Sequence, residues 1–289
     1  MKGSDCAMVM AAGRFAAQTK KNFAGTICVS GTVHEECFEG VAPREVTKRV
    51  KPDFVIVGEA TSTSIKIGQR GRAEVVVETE GVSCHSSNPE KGVNAVYGMM
   101  AVIEEIRKIV PNEHPLLGRG ILELTDIVSA PYPGASVVPA ACRATFDRRT
   151  LVGEDEAVIL GQVEEAIARA QEKHPEIKAR CYLATGTEAC WTGDTISAKR
   201  YFPAWVVDEN SELVVKARRG LEAAGIDATL SHFSFCTNGS HFCGEAGIPT
   251  IGYGPSLESL AHVRDEYIEI SQLTKACRGF ASILAELTR

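Results

Sequence analysis

Apolar and polar residues alternate with different periods along this chain, and each change of period marks an element. Residues 5–18 carry small apolar residues at helical spacing, whereas "GTICVSGTV" (25–33) and "DFVIVGEAT" (53–61) are short β-branched runs. We predict a helix and two buried strands of an α/β sheet. Ligands bind at the carboxyl ends of such strands, so the acids that follow the two runs are candidates for a site.

The middle of the chain predicts a second unit. "GQRGRAEVVVETEG" (68–81) alternates as a half-exposed strand after Arg72, and a helical period covers residues 92–110. Next come two strand patterns, a long amphipathic helix and a last strand: "GILELTDIVSA", "CRATFDRRT", "EDEAVILGQVEEAIARAQEKH" and "IKARCYLAT". The order β-α-β-β-α-β is that of the two-layer, ferredoxin-like unit. We expect it to be an inserted lid over residues 68–184.

The last third of the chain returns to an α/β rhythm. It contains a helix, a loop, a strand, a second loop and a closing helix: "NSELVVKARRGLEAAG", "FSFCTNGSH", "GIPTIGYGP", "SLESLAHVRDEY" and residues 270 onward. We therefore predict one α/β domain made of residues 1–67 and 185–289, interrupted by the lid. Such an insertion places a cleft between the two units.

Composition excludes several classes of function. The chain has 289 residues, a formal net charge of −6 and no basic run, so no nucleic-acid partner is expected. No apolar stretch approaches the roughly 18 residues of a membrane span, so no membrane partner is expected either. Ten cysteines occur singly, which favours buried apolar thiols in a reducing compartment over disulfides. We predict a cytoplasmic protein.

Three acids and a histidine are candidates for a hydrolytic site. Glu35 and Glu36 are adjacent in "TVHEECFEG", Glu59 closes the next predicted strand, and His262 lies in "SLAHVRDEY". Adjacent carboxylates can divide two tasks, one binding a cation and the other moving a proton. Taken alone, such a pair is more often a solvated acidic turn. Together with Glu59 and His262, however, the set contains zinc ligands and leaves Glu35 free as a base.

Five ordered motifs carry a resemblance to a known family: "TVHEE", "VGEAT", "GVSCHSSNPEKGVNA", "TNG" and "AHVRDE". The chain resembles the dinuclear-zinc amidohydrolases and exopeptidases that include acetylornithine deacetylase, succinyl-diaminopimelate desuccinylase and aminoacylase. "GQRGRAE", "FDRRT", "CWTG" and "YFPAW" are most similar to its selenium-metabolism-linked branch. The resemblance implies a zinc-peptidase-like α/β catalytic domain with a dimerisation lid. It also implies metal-dependent hydrolysis of amide bonds in N-acyl amino acids or small peptides, with two zinc ions per subunit or cobalt or manganese instead.

The resemblance also implies roles for individual residues. Glu35 resembles the general base that activates the attacking water, Glu36 and His262 resemble ligands of one zinc, and Glu59 resembles a ligand of the other. His85 matches the lid histidine that in dimeric relatives reaches into the partner's active site and stabilises the oxyanion. A homodimer through the lid is therefore expected. Without the motif around it, His85 is a loop histidine that packs on the following helix.

Substrate contacts follow from the same resemblance. Arg149 resembles an arginine that binds the substrate carboxylate, for which a planar bidentate donor is suited, with Arg148 beside it as the alternative. Asn238 and Gly239 resemble a loop that contacts bound substrate, and a plain turn is the alternative. Ser136 stands where many relatives have Asn before "VVP", so recognition by the lid is expected to differ.

The first residues, "MKGSDCAMVMAAG", match the segment directly after the bridging metal ligand in this family, an Asp in Asp-Met-Lys-Gly. The resemblance thus implies an N-terminally truncated member that lacks this Asp and an earlier His-x-Asp motif, binds metal weakly and hydrolyses little. Asp5 lies at least one turn further along the helix, at about 1.5 Å per residue, and is not expected to replace it. His241 is not expected to bind metal. A non-catalytic remnant with a dimerising or ligand-binding lid is the alternative function.

Overall fold

The computed structural model describes residues 1–289. Its six α-helices are α1 (Lys2–Gln18), α2 (Pro43–Val50), α3 (Ala95–Ile106), α4 (Glu156–Lys173), α5 (Glu212–Ala223) and α6 (Ile270–Leu287). Its strands are β1 (Val55–Val57), β2 (Ile65–Gln69), β3 (Gly71–Glu80), β4 (Glu113–His114), β5 (Gly118–Arg119), β6 (Ile121–Ala130), β7 (Ala141–Thr150), β8 (Lys178–Leu183), β9 (Thr185–Ala189), β10 (Thr195–Lys199), β11 (Tyr201–Phe202), β12 (Trp205–Val206), β13 (Leu230–Phe233) and β14 (Thr250–Gly252). A π-helical segment covers Ser240–Glu245, and 3₁₀ turns cover Pro89–Lys91 and Glu258–Leu260.

The first sheet is mixed and combines strands from both ends of the chain. β1 runs parallel to β14, β14 pairs antiparallel with β2, and β2 also pairs with β12 and β13. Helix α6 contacts both α1 and α5 beside it. Its core includes the buried rings of Trp205, Phe233, Tyr253 and Phe280. Burying four large aromatic side chains contributes a major part of the hydrophobic stabilisation of this unit.

The second sheet forms the lid and has the predicted topology. Its antiparallel order is β6-β7-β3-β8, and the short β11 also pairs with β3 as a fifth strand. Helices α3 and α4 pack on one face, which gives the ferredoxin-like β-α-β-β-α-β arrangement. Asn94 and Asp155 cap the two helices, because their side chains accept hydrogen bonds from Val96 N and Val158 N at 2.9 Å. The α/β class and the order of the lid elements are confirmed.

The strand predicted over residues 25–33 is wrong. This segment is extended but belongs to neither sheet, and Val29 and Val33 are 41% and 49% exposed. Its β-branched residues favour extended backbone, but a strand also needs a neighbour that completes its hydrogen-bond ladder. Glu35 and Glu36 therefore follow an unpaired extended segment and not a buried strand.

A hairpin that the pattern did not predict follows the lid. β9 and β10 pair antiparallel, and the "CWTG" motif forms the turn between them, where Trp191 is 93% exposed. Ile196 and Ala198 of this hairpin pack against a small buried cluster that contains Phe38. The hairpin thus supports the turn that carries Glu35 and Glu36.

Two expectations drawn from composition concern the burial of the cysteines and the presence of membrane-spanning helices. All ten thiols are free, but only Cys142 and Cys236 are buried, so the interpretation of the whole set as buried apolar residues is wrong. The other eight are partly or fully accessible, and four of them, Cys28, Cys37, Cys84 and Cys190, lie outside the helices and strands. Among the helices, none combines the length and the apolar character needed to cross a membrane.

Candidate active site

Glu35 and Glu36 lie on a tight turn. His34 adopts the left-handed conformation with φ of 55°, and its carbonyl accepts hydrogen bonds from Cys37 N at 3.2 Å and Phe38 N at 2.9 Å. The buried Phe38 ring anchors this turn under the β9–β10 hairpin. As a result, Glu35 is partly buried whereas Glu36 points outward with 67% of its side chain exposed.

The turn is rich in negative charge. The pKa of Glu35 is raised to about 9, chiefly by burial and also by the carboxylates of Glu59, Glu39 and Glu36, while Arg72 opposes the increase. The four glutamates thus disfavour one another's charged forms. A cation bound there would offset their mutual repulsion.

Glu59 is buried, as Glu39 is. Its pKa is raised to about 7, chiefly by burial; the amino group of Met1 opposes the increase, and the carboxylates of Glu36 and Asp5 add to it. The side chain follows β1, as predicted, and the first turn of α1 lies close enough to influence its charge. The start of α1 and the end of β1 therefore frame the same group of acids.

Glu36 and His262 meet although they come from distant parts of the sequence. The distance between Glu36 Oε2 and His262 Nε2 is 3.4 Å. His262 follows the 3₁₀ turn at Glu258–Leu260 and has a φ of 59°, and its side chain is 75% exposed. The tertiary structure thus brings together the two residues that the sequence assigned to one zinc ion.

The donor set of this region suits a divalent metal ion. Carboxylates and an imidazole bind zinc, cobalt and manganese, and the excess of negative charge favours any of these cations. No three His, Cys, Asp or Glu side chains are arranged as one metal-binding cluster. The chain supplies the pair Glu36 and His262 and a separate Glu59. A catalytic zinc site usually has three protein ligands and a water.

The loop after β13 braces the glutamate turn. Asn238 Oδ1 accepts a hydrogen bond from Gly40 N, and Asn238 Nδ2 donates to Thr32 Oγ1, both at 3.0 Å. A Cβ atom on Gly239 would lie 2.5 Å from Trp205 Nε1, so only glycine fits there. The amide of Asn238 therefore joins the two ends of the segment that contains Glu35 and Glu36.

Gln69 is a residue that the sequence analysis did not assign. It ends β2 directly below the lid and is fully buried. Its Nε2 donates to Ser240 Oγ at 3.0 Å, and its Oε1 accepts from Thr237 Oγ1 at 2.6 Å. Gln69 thus ties the root of the lid to the loop of Asn238. Gln69 is part of the motif "GQRGRAE", which could have marked it as a candidate. A polar residue in a strand pattern, however, does not reveal its long-range hydrogen-bond partners.

The adjacent arginines of β7 point to opposite faces of the lid sheet. Arg148 is 1% exposed and donates to Glu154 Oε1 at 2.9 Å, on the side covered by α4. Arg149 remains partly accessible and donates to Asp147 Oδ2 at 2.8 Å. Because successive residues of a strand alternate between faces, only Arg149 can turn toward a ligand outside the lid core.

Arg149 lies near the glutamate turn. Arg149 Nε donates to Asp147 Oδ2 at 2.8 Å, and Arg72 donates to Asp147 Oδ1 at 3.3 Å and to Glu39 Oε1 at 2.8 Å. These hydrogen bonds link the lid arginine to Glu39, which belongs to the same turn as Glu35. The structure brings Arg149 into the same region as Glu35.

His85 is separate from this region within the chain. It is exposed, and its Nδ1 lies 2.8 Å from Ser87 Oγ and accepts from Ser87 N at 3.1 Å. A β-bridge between His85 and Val137 fixes its loop to the lid. The side chain forms no hydrogen bond or ion pair with any of the candidate glutamates.

His241 has a structural environment. Its Nδ1 lies 2.7 Å from Glu245 Oε2, and its Nε2 lies 3.0 Å from Thr47 Oγ1. The π-helical segment places this imidazole against α2. With both ring nitrogens bonded to protein atoms, His241 has no nitrogen free for a metal ion.

Comparison with known proteins identifies the lid and relates the whole chain to hydrolases. Residues 67–175 match the peptidase dimerisation domain of the M20 family. The chain is 31% identical over 265 residues to YgeY, an uncharacterised protein of Escherichia coli strain K12, covering 89% of this chain and 64% of YgeY. It is 25% identical over 259 residues to the acetylornithine deacetylase of Buchnera aphidicola, covering 87% of this chain and 62% of that protein.

The fold is also similar to that of a solved peptidase. The crystal structure of the aminopeptidase PepT from Bacillus cereus superposes with a TM-score of 0.73 at 18% identity, covering 98% of this chain and 70% of that one. The chain spans less than two thirds of the length of YgeY and of the Buchnera deacetylase. The matched lid, the related sequences and the shared fold agree. Residues 67–175 thus match the dimerisation domain of M20 peptidases, and the chain as a whole is similar to such hydrolases in sequence and in fold.

Proposed function

We propose that this chain contains the base and metal ligands of a metal-dependent hydrolase that cleaves amide bonds in N-acyl amino acids or small peptides. The contact between Glu36 and His262 beside the partly buried Glu35 is the observation that carries the proposal. It joins a carboxylate and an imidazole next to a second carboxylate that has no basic partner within ion-pair distance. That combination suits hydrolysis, in which ligands and base must be different groups.

Each acid has its own task in this proposal. Glu36 and His262 hold one metal ion, Glu59 contributes to a second, and Glu35 takes a proton from the attacking water and passes it to the leaving amine. A bound divalent metal would polarise the scissile carbonyl and make the water more acidic. The burial of Glu35 keeps its carboxylate away from bulk solvent and close to the reacting groups.

Substrate orientation falls to the lid and the loop after β13. Arg149 faces out of the lid core and presents a guanidinium, which binds a carboxylate through parallel N–H groups. On the other side, Asn238 is partly accessible and is the proposed contact for the acyl part, whereas Gly239 is buried, donates its N–H to Thr237 Oγ1 at 3.0 Å and shapes the loop behind Asn238. A substrate with a free carboxylate, such as an N-acyl amino acid or a dipeptide, matches this arrangement.

We propose a homodimer that forms through the lid. The outer strand β6 exposes Ile127 and Val128 to 47% and 45%, and α3 exposes Tyr97 and Met100 to 70% and 54%. Apolar side chains on an edge strand and a neighbouring helix favour pairing with a second copy. In such a dimer, His85 would act in the partner's site and stabilise the oxyanion. We also propose a cytoplasmic location, on the basis of the unpaired thiols and the acidic composition.

Metal content and hydrolysis measured together test the proposal. The purified 289-residue chain is dialysed, its zinc is measured, and turnover is followed on a panel of N-acetyl amino acids and dipeptides with added zinc, cobalt or manganese. We expect weak metal binding, because Glu36 and His262 are two ligands of the three that a catalytic zinc needs, and slow metal-dependent turnover. Saturating metal without any turnover on the panel would favour a ligand-binding protein instead.

A further inference from the structure

Arg72 connects the lid to the glutamate turn with one side chain. It lies in β3, directly above the point where the chain enters the lid. Its Nη1 donates to Glu39 Oε1 at 2.8 Å, and its Nε donates to Asp147 Oδ1 at 3.3 Å. Glu39 belongs to the turn that carries Glu35, whereas Asp147 belongs to β7 of the lid.

These charged groups are largely buried, so each depends on its partner in the bridge. The Glu39 side chain is 7% exposed, and those of Arg72 and Asp147 are 22% and 24% exposed. Arg72 is the single cation within ion-pair distance of Glu39, and Glu39 Oε2 has no hydrogen-bond partner at all. Removing one partner of a buried ion pair is strongly destabilising, because the other charge is left uncompensated.

Asp147 extends the bridge to the candidate substrate arginine. Its Oδ1 accepts from Arg72, and its Oδ2 accepts from Arg149 Nε at 2.8 Å. Arg72 and Arg149 are also directly opposite each other in the β3–β7 ladder. Without Asp147 between them, the two guanidinium groups would repel. One carboxylate therefore orients both arginines.

We propose that Arg72 is a positioning residue whose bridge between Glu39 and Asp147 aligns the turn of Glu35 and Glu36 with Arg149 on the lid. This inference rests on the proposed function for its effect on turnover, but its effect on the turn itself can be measured separately. A planar guanidinium suits this role, since its N–H groups reach two carboxylates in fixed directions.

Hydrogen exchange of the turn in the 289-residue chain tests the inference. The reporters are the amides of Phe38 and Val41, which donate to His34 O and Phe38 O at 2.9 and 3.0 Å. In Arg72→Met we expect these amides to exchange about tenfold faster or more, the factor expected from loss of a charge-assisted hydrogen bond. Amides in the centre of β3 should exchange at the wild-type rate.

Two further variants separate positioning from general stability. Arg180→Met removes an exposed ion pair with Glu78 on the same lid sheet and should leave the turn unchanged. Glu39→Gln keeps the size of the buried side chain but removes its charge, so it provides a second measurement if Arg72→Met does not fold. In Glu39→Gln, faster exchange confined to the turn supports the inference. Wild-type exchange of the turn in a folded Arg72→Met or Glu39→Gln protein overturns it.

Kinetics provide a readout that a purely structural role would not move. In the metal-loaded protein, Arg72→Met should raise KM for carboxylate substrates and also lower kcat. Arg72→Lys should recover part of both effects, since lysine keeps the positive charge but lacks the planar set of N–H groups of a guanidinium. If Arg180→Met lowers kcat/KM as much as Arg72→Met does, the inference is overturned. If the wild-type chain hydrolyses nothing, the proposed function fails while the exchange measurements still decide the role of Arg72.

Discussion

His262 Nε2 lies 3.4 Å from Glu36 Oε2, which joins the last loop of the chain to the turn before α2. This contact predicts how metal binding responds to mutation. We expect His262→Ala and Glu36→Gln each to weaken zinc binding by more than the 10- to 100-fold that loss of an outer partner of a ligand causes. Titration calorimetry measures the change. His174→Ala is the control, because this exposed histidine lies beside Glu176, away from the site; an equal loss there would contradict the assignment.

Glu35→Gln should separate binding from turnover. Since the proposed base does not hold the ion, the variant should keep the zinc affinity of the wild type, and its kcat should fall by about 100- to 10,000-fold. Metal analysis and single-substrate kinetics on the same preparation make the comparison. Loss of zinc together with activity would mean that the roles of Glu35 and Glu36 are exchanged.

His85 should act across the dimer interface. Because it forms no contact with the glutamates of its own chain, we expect His85→Ala and Glu35→Gln to be inactive separately and to recover activity when mixed and allowed to exchange subunits. Light scattering establishes the oligomeric state of each sample. A protein that stays monomeric at micromolar concentration while it hydrolyses substrate would exclude a role in trans.

Gly239 should tolerate no side chain. A Cβ there would lie 2.5 Å from Trp205 Nε1 and 2.7 Å from Trp205 Cε2, so we expect Gly239→Ala to lower the free energy of unfolding by about 1–3 kcal/mol. Gly161 of α4 is the matched control, because a Cβ there meets nothing within 4 Å. Gly161→Ala should be neutral or stabilising. Chemical denaturation of both variants gives the comparison, and equal effects would contradict the packing argument.

Glu105 should make the lid sensitive to acid. This buried carboxylate accepts from Lys108 at 2.6 Å and contacts Lys173, and these hydrogen bonds lower its pKa to about 2. Its stabilising contribution is complete above the ordinary Glu pKa of about 4.3 and is lost as the pH falls from there toward about 2. We expect Glu105→Gln to melt below the wild type at pH 7, with a smaller difference near pH 2.

The exposed neighbour of Glu105 supplies the control for this measurement. Glu104 lies on the solvent side of α3, so Glu104→Gln should melt near the wild-type temperature at both pH values. Thermal unfolding followed by circular dichroism gives both melting temperatures. A difference between wild type and Glu105→Gln that stays constant from pH 7 to pH 2 would show that charge is not the cause.

Local sequence was sufficient to predict the order of the helices and strands in the lid. The alternation in β3, the helical period of α4 and the caps at Asn94 and Asp155 act over a few residues, so the order β-α-β-β-α-β could be predicted without any long-range information. The same applies to the chemistry of the candidates, since the acids and His262 are recognisable by type and motif. Residues 25–33 show the limit, because a strand requires a partner that local propensity does not specify.

Long-range contacts decided the rest of the site. The alternation of β7 predicts that Arg148 and Arg149 point to opposite faces, but only the packing of α4 over Arg148 shows that Arg149 remains available. The partners of Gln69 and Arg72 likewise lie on loops far away in the sequence. A residue's type and period determine which interactions it can make. Which of them it does make depends on how distant segments pack, and that is a property of the tertiary structure alone.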